Sequence, residues 1–205
     1  MPGMDGHDHA KDKGDLASRV ERARGGDRSA LGELIAEFQE DIFRMVYYRT
    51  RSRMDAEDLT QEIFLKVFDN LPALKDPRMF RSWLFRIAVN KVYDYHRKKR
   101  FRALFVQPME KEAASSMEDI RSDNRNALEQ VVKKEFWHEI GVFTQKLSNL
   151  EREVFQLRFM DHLGIAEISQ VLNKSESTVK THLYRAVKKF QGAGYLLRLI
   201  RGEAI

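Results

Sequence analysis

The chain has 205 residues, 36 Lys and Arg against 31 Asp and Glu, a formal charge of +5 and a pI near 9.4. Cysteine is absent, which excludes disulfides, thiolate metal sites and thiol nucleophiles and agrees with a reducing compartment. No apolar run approaches the roughly 20 residues a membrane span needs, and the polar N-terminus is unlike a signal peptide, so a soluble protein of the cytoplasm is expected.

An apolar fraction of 42% with only 4 Pro and 11 Gly leaves enough material for cores and few turns, which predicts an all-α fold. This length suits two helical domains. The basic total favours a polyanionic partner. In chain order, residues 1–14 carry too little apolar content to offset chain entropy and read as a disordered tail. A short helix over Leu16–Arg24 should stop at Gly25 and Gly26. Asp27 then caps a longer helix to about Thr50, in which Leu31, Leu34, Ile35, Phe38, Ile42, Met45 and Val46 keep helical spacing.

Ser52 and Asp55 have capping-box spacing for the next helix, which ends before Leu71 and Pro72. Its Ile63, Phe64, Val67 and Phe68 supply core. Asp55, Asp58, Glu62 and Asp69 fall within about a 60° sector, with Gln61 nearby. Such a sector suits a solvated face or a protein-docking surface. A two-metal or acid–base site usually gathers ligands from several elements, and no His lies close by in sequence; no catalytic residue, metal or cofactor is therefore expected. The loop Leu71–Lys75 reads as exposed, and Asp76 with Pro77 starts the following helix.

That helix, from Phe80 to Arg100, carries two opposed stripes. Phe80, Leu84, Ala88, Val92 and Tyr95, flanked by Phe85 and Ile87, form a core side. Trp83, Arg86, Asn90, Tyr93 and Arg97 line the other. Positions 80–102 hold eight Lys and Arg against the single Asp94, a local charge of +7 in a chain of +5. An aromatic and cationic edge of this kind stacks on unpaired bases while neutralising phosphates. A basic helix end also favours any helix through its dipole, and Trp83 alone is compatible with ordinary core.

Residues 103–125 have few large apolar side chains and excess acid, and read as a flexible acidic linker. A second helical domain, 126–205, begins with Val131, Val132, Phe136, Ile140 and Phe143. Ser148 and Glu151 form a capping box for Leu150–Met160. Ile165–Leu172 is a short helix, Asn173 takes the left-handed conformation at its end, and Ser175 caps the next helix. This is a helix-turn-helix pattern. In its second helix Val179, Leu183, Ala186, Val187 and Phe190 are the buried stripe. Ser177, Thr178, Thr181, Tyr184, Arg185 and Lys188 are left outside, with Lys180 on the border. Positions 174–191 hold five Lys and Arg against Glu176; helix-turn-helix shapes also occur in proteins that bind no nucleic acid, but a basic outward face with small hydroxyl residues favours a major-groove reader. Tyr195, Leu196, Leu199 and Ile200 are expected to close this domain.

Four blocks, DAEDLTQEIFLKVF, FRSWLFRIAVNKVYDYHRK, LSNLEREVFQLRFMDHLGIAEIS and SESTVKTHLYRAVKKF, come in the order found in bacterial sigma factors of the extracytoplasmic-function (ECF) group, which the chain resembles. The resemblance implies that 15–102 is sigma region 2, which binds core RNA polymerase and opens the minus-ten promoter element. It implies that 126–205 is region 4, which reads the minus-thirty-five element. Asp58, Gln61 and Glu62 would dock on the beta-prime clamp coiled coil, and the second domain would meet the beta flap. Trp83, Arg86, Asn90, Tyr93 and Arg97 would engage minus-ten DNA, while the loop from Leu71 to Arg81 would pocket an extruded base. Lys180, Thr181, Tyr184, Arg185 and Lys188 would enter the major groove upstream. The linker would thread the polymerase cleft, and an anti-sigma factor would be a further partner. A free-standing helix-turn-helix regulator is the alternative; a metal-dependent nuclease using Asp55, Asp58 and Glu62 is the remote third.

Overall fold

The computed structural model describes residues 6–105 and 138–192, with side chains for 14–103 and 138–192. All regular structure among the described residues is helical, as the composition implied. The chain divides into two compact units, 1–113 and 114–205.

The first unit contains α1 (Gly6–Arg24), α2 (Arg28–Thr50), α3 (Arg53–Asn70) and α4 (Phe80–Phe105), with 3-10 turns at Leu71–Ala73 and Pro77–Met79. Helix α1 is longer than the sequence pattern suggests. Residues 6–14, expected in the tail, extend it backwards from the turn that buries Val20 and Ala23. Once tertiary contacts fix that turn, each added residue costs no new nucleus. Asp27 accepts hydrogen bonds from the Ser29 and Ala30 amides at 2.9 and 3.2 Å. These bonds, with the Arg22 guanidinium beside them, hold the Asp27 carboxyl below its ordinary value.

Helix α2 is the wall against which the others pack, contacting α1, α3 and α4. Leu34, Phe38, Ile42, Met45 and Val46 meet Ala56, Leu59, Ile63 and Val67 of α3 and Phe80, Leu84, Phe85, Ala88 and Val92 of α4 in the buried core. Phe38 and Phe80 meet edge to face, with ring centroids 5.5 Å apart. Full burial of one such side chain contributes about 1.5–3 kcal/mol. The segment 71–75 is less exposed than its loop-like composition suggests, because Leu71 and Leu74 turn inward and leave Pro72, Ala73 and Lys75 outside.

In the second unit, helical residues 138–145 (α5) precede α6 (Asn149–Phe159), α7 (Ile165–Leu172) and α8 (Glu176–Gln191). The expected start of this unit, 126–137, lies outside the described residues, as do linker residues 106–125 and the closing residues 193–205. Residues 103–105, expected to open the linker, instead finish α4. Ile140, Phe143, Leu147, Phe155 and Ala186 form one core, with Phe190 packed against it. The helix-turn-helix matches the sequence reading closely. Asn173 lies in the left-handed region at φ 51°, and Ser175 accepts from the Thr178 amide at 3.2 Å.

The capping box of α6 is complete. The Ser148 amide donates to Glu151 at 2.9 Å, and the Glu151 amide donates to Ser148 Oγ at 3.4 Å. Glu151 also receives Lys189 Nζ of α8 at 2.6 Å, so one carboxylate caps α6 and ties α8 to it. The Lys189 bond, then that from the Ser148 amide, lowers its pKa from 4.5 to about 2. Because the folded value is the lower one, this stabilisation is full above the unfolded value and fades as pH falls from about 4.5 toward 2. An acid titration of thermal stability is expected to show that loss, and Lys189→Met should shrink it; a variant with the wild-type acid profile would contradict the assignment.

Candidate nucleic-acid interfaces

Burial of Phe80, Leu84, Phe85, Ala88, Val89 and Val92 fixes the rotation of α4. Its opposite edge follows from that. Arg86, Asn90, Tyr93 and Arg97 are exposed, with Tyr93 48% accessible. Trp83 is half-buried, with its ring centroid 6.0 Å from that of Phe80. Four of the five expected residues thus form an outward edge, and Trp83 sits where that edge meets the core. Arg97 pairs with Asp94 on its own helix at 3.0 Å.

Three ties set the position of α4 against its neighbours. Tyr95 Oη donates to Asp55 of α3 at 2.7 Å, His96 Nε2 lies 3.1 Å from the Arg49 carbonyl of α2, and Lys91 pairs with Glu62 of α3. Partial burial, then the bond to Asp55, raises the Tyr95 pKa. Asp55 therefore has a structural occupation. It sits half-buried against Tyr95, and the expected reciprocal capping box is only half formed: Ser52 accepts from the Asp55 amide at 3.3 Å while the Asp55 carboxylate turns to Tyr95. Tyr95, assigned to the core stripe by periodicity, lies at its half-buried margin.

On α3, Asp58, Gln61, Glu62 and Asp69 are exposed together. Sequence reasoning missed two companions, Met54 at 69% and Leu65 at 61% exposure. Met54, Asp58, Gln61 and Leu65 follow three- and four-residue steps along one line. An acidic face interrupted by exposed apolar side chains is suited to a protein partner, since apolar area gives association energy that water does not return. The acidic sector alone drew attention to this face, and apolar side chains give no signal of exposure in a spacing pattern. Among the described residues no group of three or more His, Asp or Glu is placed to hold a metal ion.

On α8 the Val179 and Ala186 side chains are fully covered, and Leu183, Val187 and Phe190 are half-buried. Lys180, Thr181, Tyr184, Arg185 and Lys188 are exposed, all on the side expected from spacing. Tyr184 is 69% accessible. Lys180 pairs with Glu176 one turn earlier at 3.3 Å. Ser177, Thr178, Thr181, His182 and Arg185 line a shallow depression of about 280 Å³ on this face. His182 went unnoticed because its spacing places it between the buried and reading stripes.

Two family models match in the order of the two units: "Sigma-70 region 2" over residues 34–102 and "Sigma-70, region 4" over 138–190. Together they cover more than half of the 205 residues. The chain belongs to the ECF group of the sigma-70 family. The ECF RNA polymerase sigma factor BldN of Streptomyces coelicolor is 33% identical over 86% of this chain, which spans 65% of that relative. SigW of Bacillus subtilis, also an ECF RNA polymerase sigma factor, is 29% identical over 83% of this chain and 91% of its own length. Among solved structures, CnrH in complex with the cytosolic domain of CnrY superposes with a TM-score of 0.63 at 23% identity, covering 92% of this chain and 99% of CnrH. That likeness shows the fold. In this sigma factor the region 2 match begins within α2, so α1 lies ahead of it.

The Tyr95–Asp55 bond joins the acidic face of α3 to the cationic edge of α4. Tyr95→Phe is expected to cost about 1 kcal/mol, the usual contribution of one hydrogen bond. For a unit of about 100 residues this corresponds to roughly 4–8 °C in the transition of the first unit. An unchanged transition in Tyr95→Phe would show that the bond does not hold the helices together.

Proposed function

We propose that this sigma factor docks on core RNA polymerase through α3, opens minus-ten DNA along α4 and reads the minus-thirty-five element with α8, without catalysing a reaction of its own. The observation that carries the reading is the simultaneous exposure of three unlike faces. The α3 face is acidic and apolar, the α4 edge aromatic and cationic, and the α8 face cationic with hydroxyl groups. Asp58, Gln61 and Glu62, supported by Met54 and Leu65, meet the clamp coiled coil. Trp83, Arg86, Asn90, Tyr93 and Arg97 engage the melting strand, and the segment 71–81 receives an extruded base. Lys180, Thr181, Tyr184, Arg185 and Lys188 enter the upstream major groove.

Residues 15–102 act as region 2, 106–125 as an acidic connection through the polymerase cleft, and 126–205 as region 4 with contacts to the beta flap. The site of action is the cytoplasm, where core polymerase is found. A sigma factor of Bartonella quintana has been solved in complex with an anti-sigma factor. By that analogy this chain has an anti-sigma partner.

The energetics fit a helper without fuel. Unstacking costs a few kcal/mol per step, and stacking a base on an aromatic side chain returns about 1–3 kcal/mol. A lone helix-turn-helix binds duplex weakly, so tethering two readers on one large scaffold raises avidity.

Reconstitution with core polymerase on genomic DNA, followed by mapping of transcript starts, tests the assignment. Specific starts should require both components. Operator binding by the isolated chain with no stimulation of core would favour the free-standing regulator instead. Glu62→Lys reverses a charge on the docking face and is expected to weaken core binding about tenfold or more; undiminished affinity would return that face to simple solvation.

Trp83→Leu keeps apolar bulk against Phe80 while removing the stacking indole. It should leave recruitment to promoter DNA unchanged and lower the permanganate reactivity of exposed thymines by about fivefold or more, the value of one lost stack. Normal thymine reactivity would remove Trp83 from the melting surface.

A further inference from the structure

The chain has no cysteine, so an oxidant that attacks sulfur finds only methionine. Eight methionines are present, and the fold sorts the described ones sharply. Met45 is fully covered and Met160 is 9% exposed, whereas Met79 is 37% and Met54 69% exposed. Met54 is thus the sulfur most open to solvent among the described residues.

Its exposure is fixed by its neighbours. Ala56 and Leu59 are buried, and Asp55 is drawn to Tyr95 at 2.7 Å. These contacts set the rotation of the first turns of α3, and Met54, nearly opposite Ala56 on the helix, is left pointing outward. There it continues the line of Asp58, Gln61 and Leu65. A partner covering that line gains apolar area from both Leu65 and Met54. The contribution of Leu65 is chemically inert. That of Met54 is lost once its sulfur takes up one oxygen.

We propose that Met54 is a reversible oxidation site whose sulfoxide weakens docking of α3 on core polymerase. The oxidant class is peroxide. The sulfur lone pair attacks one peroxide oxygen, an S–O bond forms as the O–O bond breaks, and the departing hydroxide takes a proton and leaves as water. Sulfur is oxidised and peroxide reduced by the same electron pair. The product is a polar sulfoxide that must shed water before the face can be covered. Methionine sulfoxide reductase reverses the change, consuming two thiols and releasing a disulfide and water. Docking covers the sulfur, so oxidation acts on the free chain and is blocked in the assembled enzyme. This inference rests on α3 being the polymerase-docking face and adds a chemical control to it.

The full chain is treated with hydrogen peroxide, the peroxide is removed with catalase, and affinity for untreated core polymerase is measured beside peptide mass mapping of every methionine. Wild type is expected to lose about tenfold in affinity, the value of one apolar side chain withheld from burial, in step with oxygen uptake at Met54. Reductase with dithiothreitol should restore it. Met54→Leu is compared with itself before and after treatment, so its starting affinity does not enter, and that ratio should stay near one. Met79→Leu should remain as sensitive as wild type. In holoenzyme, Met54 should take up oxygen more slowly than in the free chain.

A loss in treated Met54→Leu equal to that of wild type would place the sensitive group elsewhere and overturn the proposal. Undiminished affinity in wild type carrying the sulfoxide at Met54, or equal oxidation of Met54 in free chain and holoenzyme, would do the same. Circular dichroism reports whether the treated chain stays folded. Should peroxide unfold it, Met54→Gln decides, since it carries a polar group without any oxidant: wild-type core affinity in that variant would again overturn the proposal. Glu62→Lys at full affinity would instead remove docking from α3 altogether, an outcome distinct from an α3 that docks whatever the state of Met54.

Discussion

The burial of one side of α4 is the constraint from which the first unit follows. Phe80, Leu84 and Phe85 are almost wholly covered, and Ala88 and Val92 continue the stripe for two more turns. With that side committed, Arg86 and Asn90 are turned outward. The direction in which the cationic edge points is therefore not set by its own few contacts, such as that of Arg97 with Asp94. It is held in place by apolar packing on the reverse of the same helix. Removing a large side chain such as Phe80 from that packing would cost about 3–5 kcal/mol and would free the helix to rotate, so stability and presentation of the edge are one property.

The cross-helix ties extend this logic to the acidic face. Asp55 and Glu62 both lie on α3 and both reach α4, through Tyr95 and Lys91. The surface proposed for the polymerase and the edge proposed for the melting strand are thus two sides of one rigid pair of helices. A protein that opens DNA without hydrolysing anything needs such rigidity, because a compliant scaffold would let the bases restack while the stacking gain remained unclaimed. The ties are exposed or half-exposed and individually modest. Their effect lies in fixing register more than in adding stability.

Much of this was legible from spacing. Helix-period apolar stripes placed α2, α3 and α4, and cap residues set the ends of α6, α7 and α8, with Asn173 in its left-handed turn as its residue type favours. The outward residues of α4 and α8 also followed, since a helix buries or exposes its faces by geometry alone. What escaped were properties fixed by distant partners. Asp55 looked like a member of the acidic sector until Tyr95, 40 residues on, drew it inward. Met54 and Leu65 were not singled out, because an apolar residue on the exposed side is visible only once its neighbours are placed. Leu71 and Leu74 turned inward for the same reason, their short segment packing where composition suggested a loop. The backward extension of α1 depends on an anchoring turn whose burial no local pattern reports.

The α8 face proposed to meet DNA carries two kinds of group, cationic and neutral, that serve affinity and selectivity differently. Lys180, Arg185 and Lys188 attract any duplex, and their gain is shared by every sequence and screened by salt. A protein with only such contacts would spend its time on competing sites, all the more with a net charge of +5. Neutral groups with a fixed donor or acceptor sense are what distinguish one base edge from another. Thr181 already has its hydroxyl proton occupied by the Ser177 carbonyl, so on the α8 face proposed to meet DNA its oxygen is left to accept, a fixed polarity that the cations beside it lack.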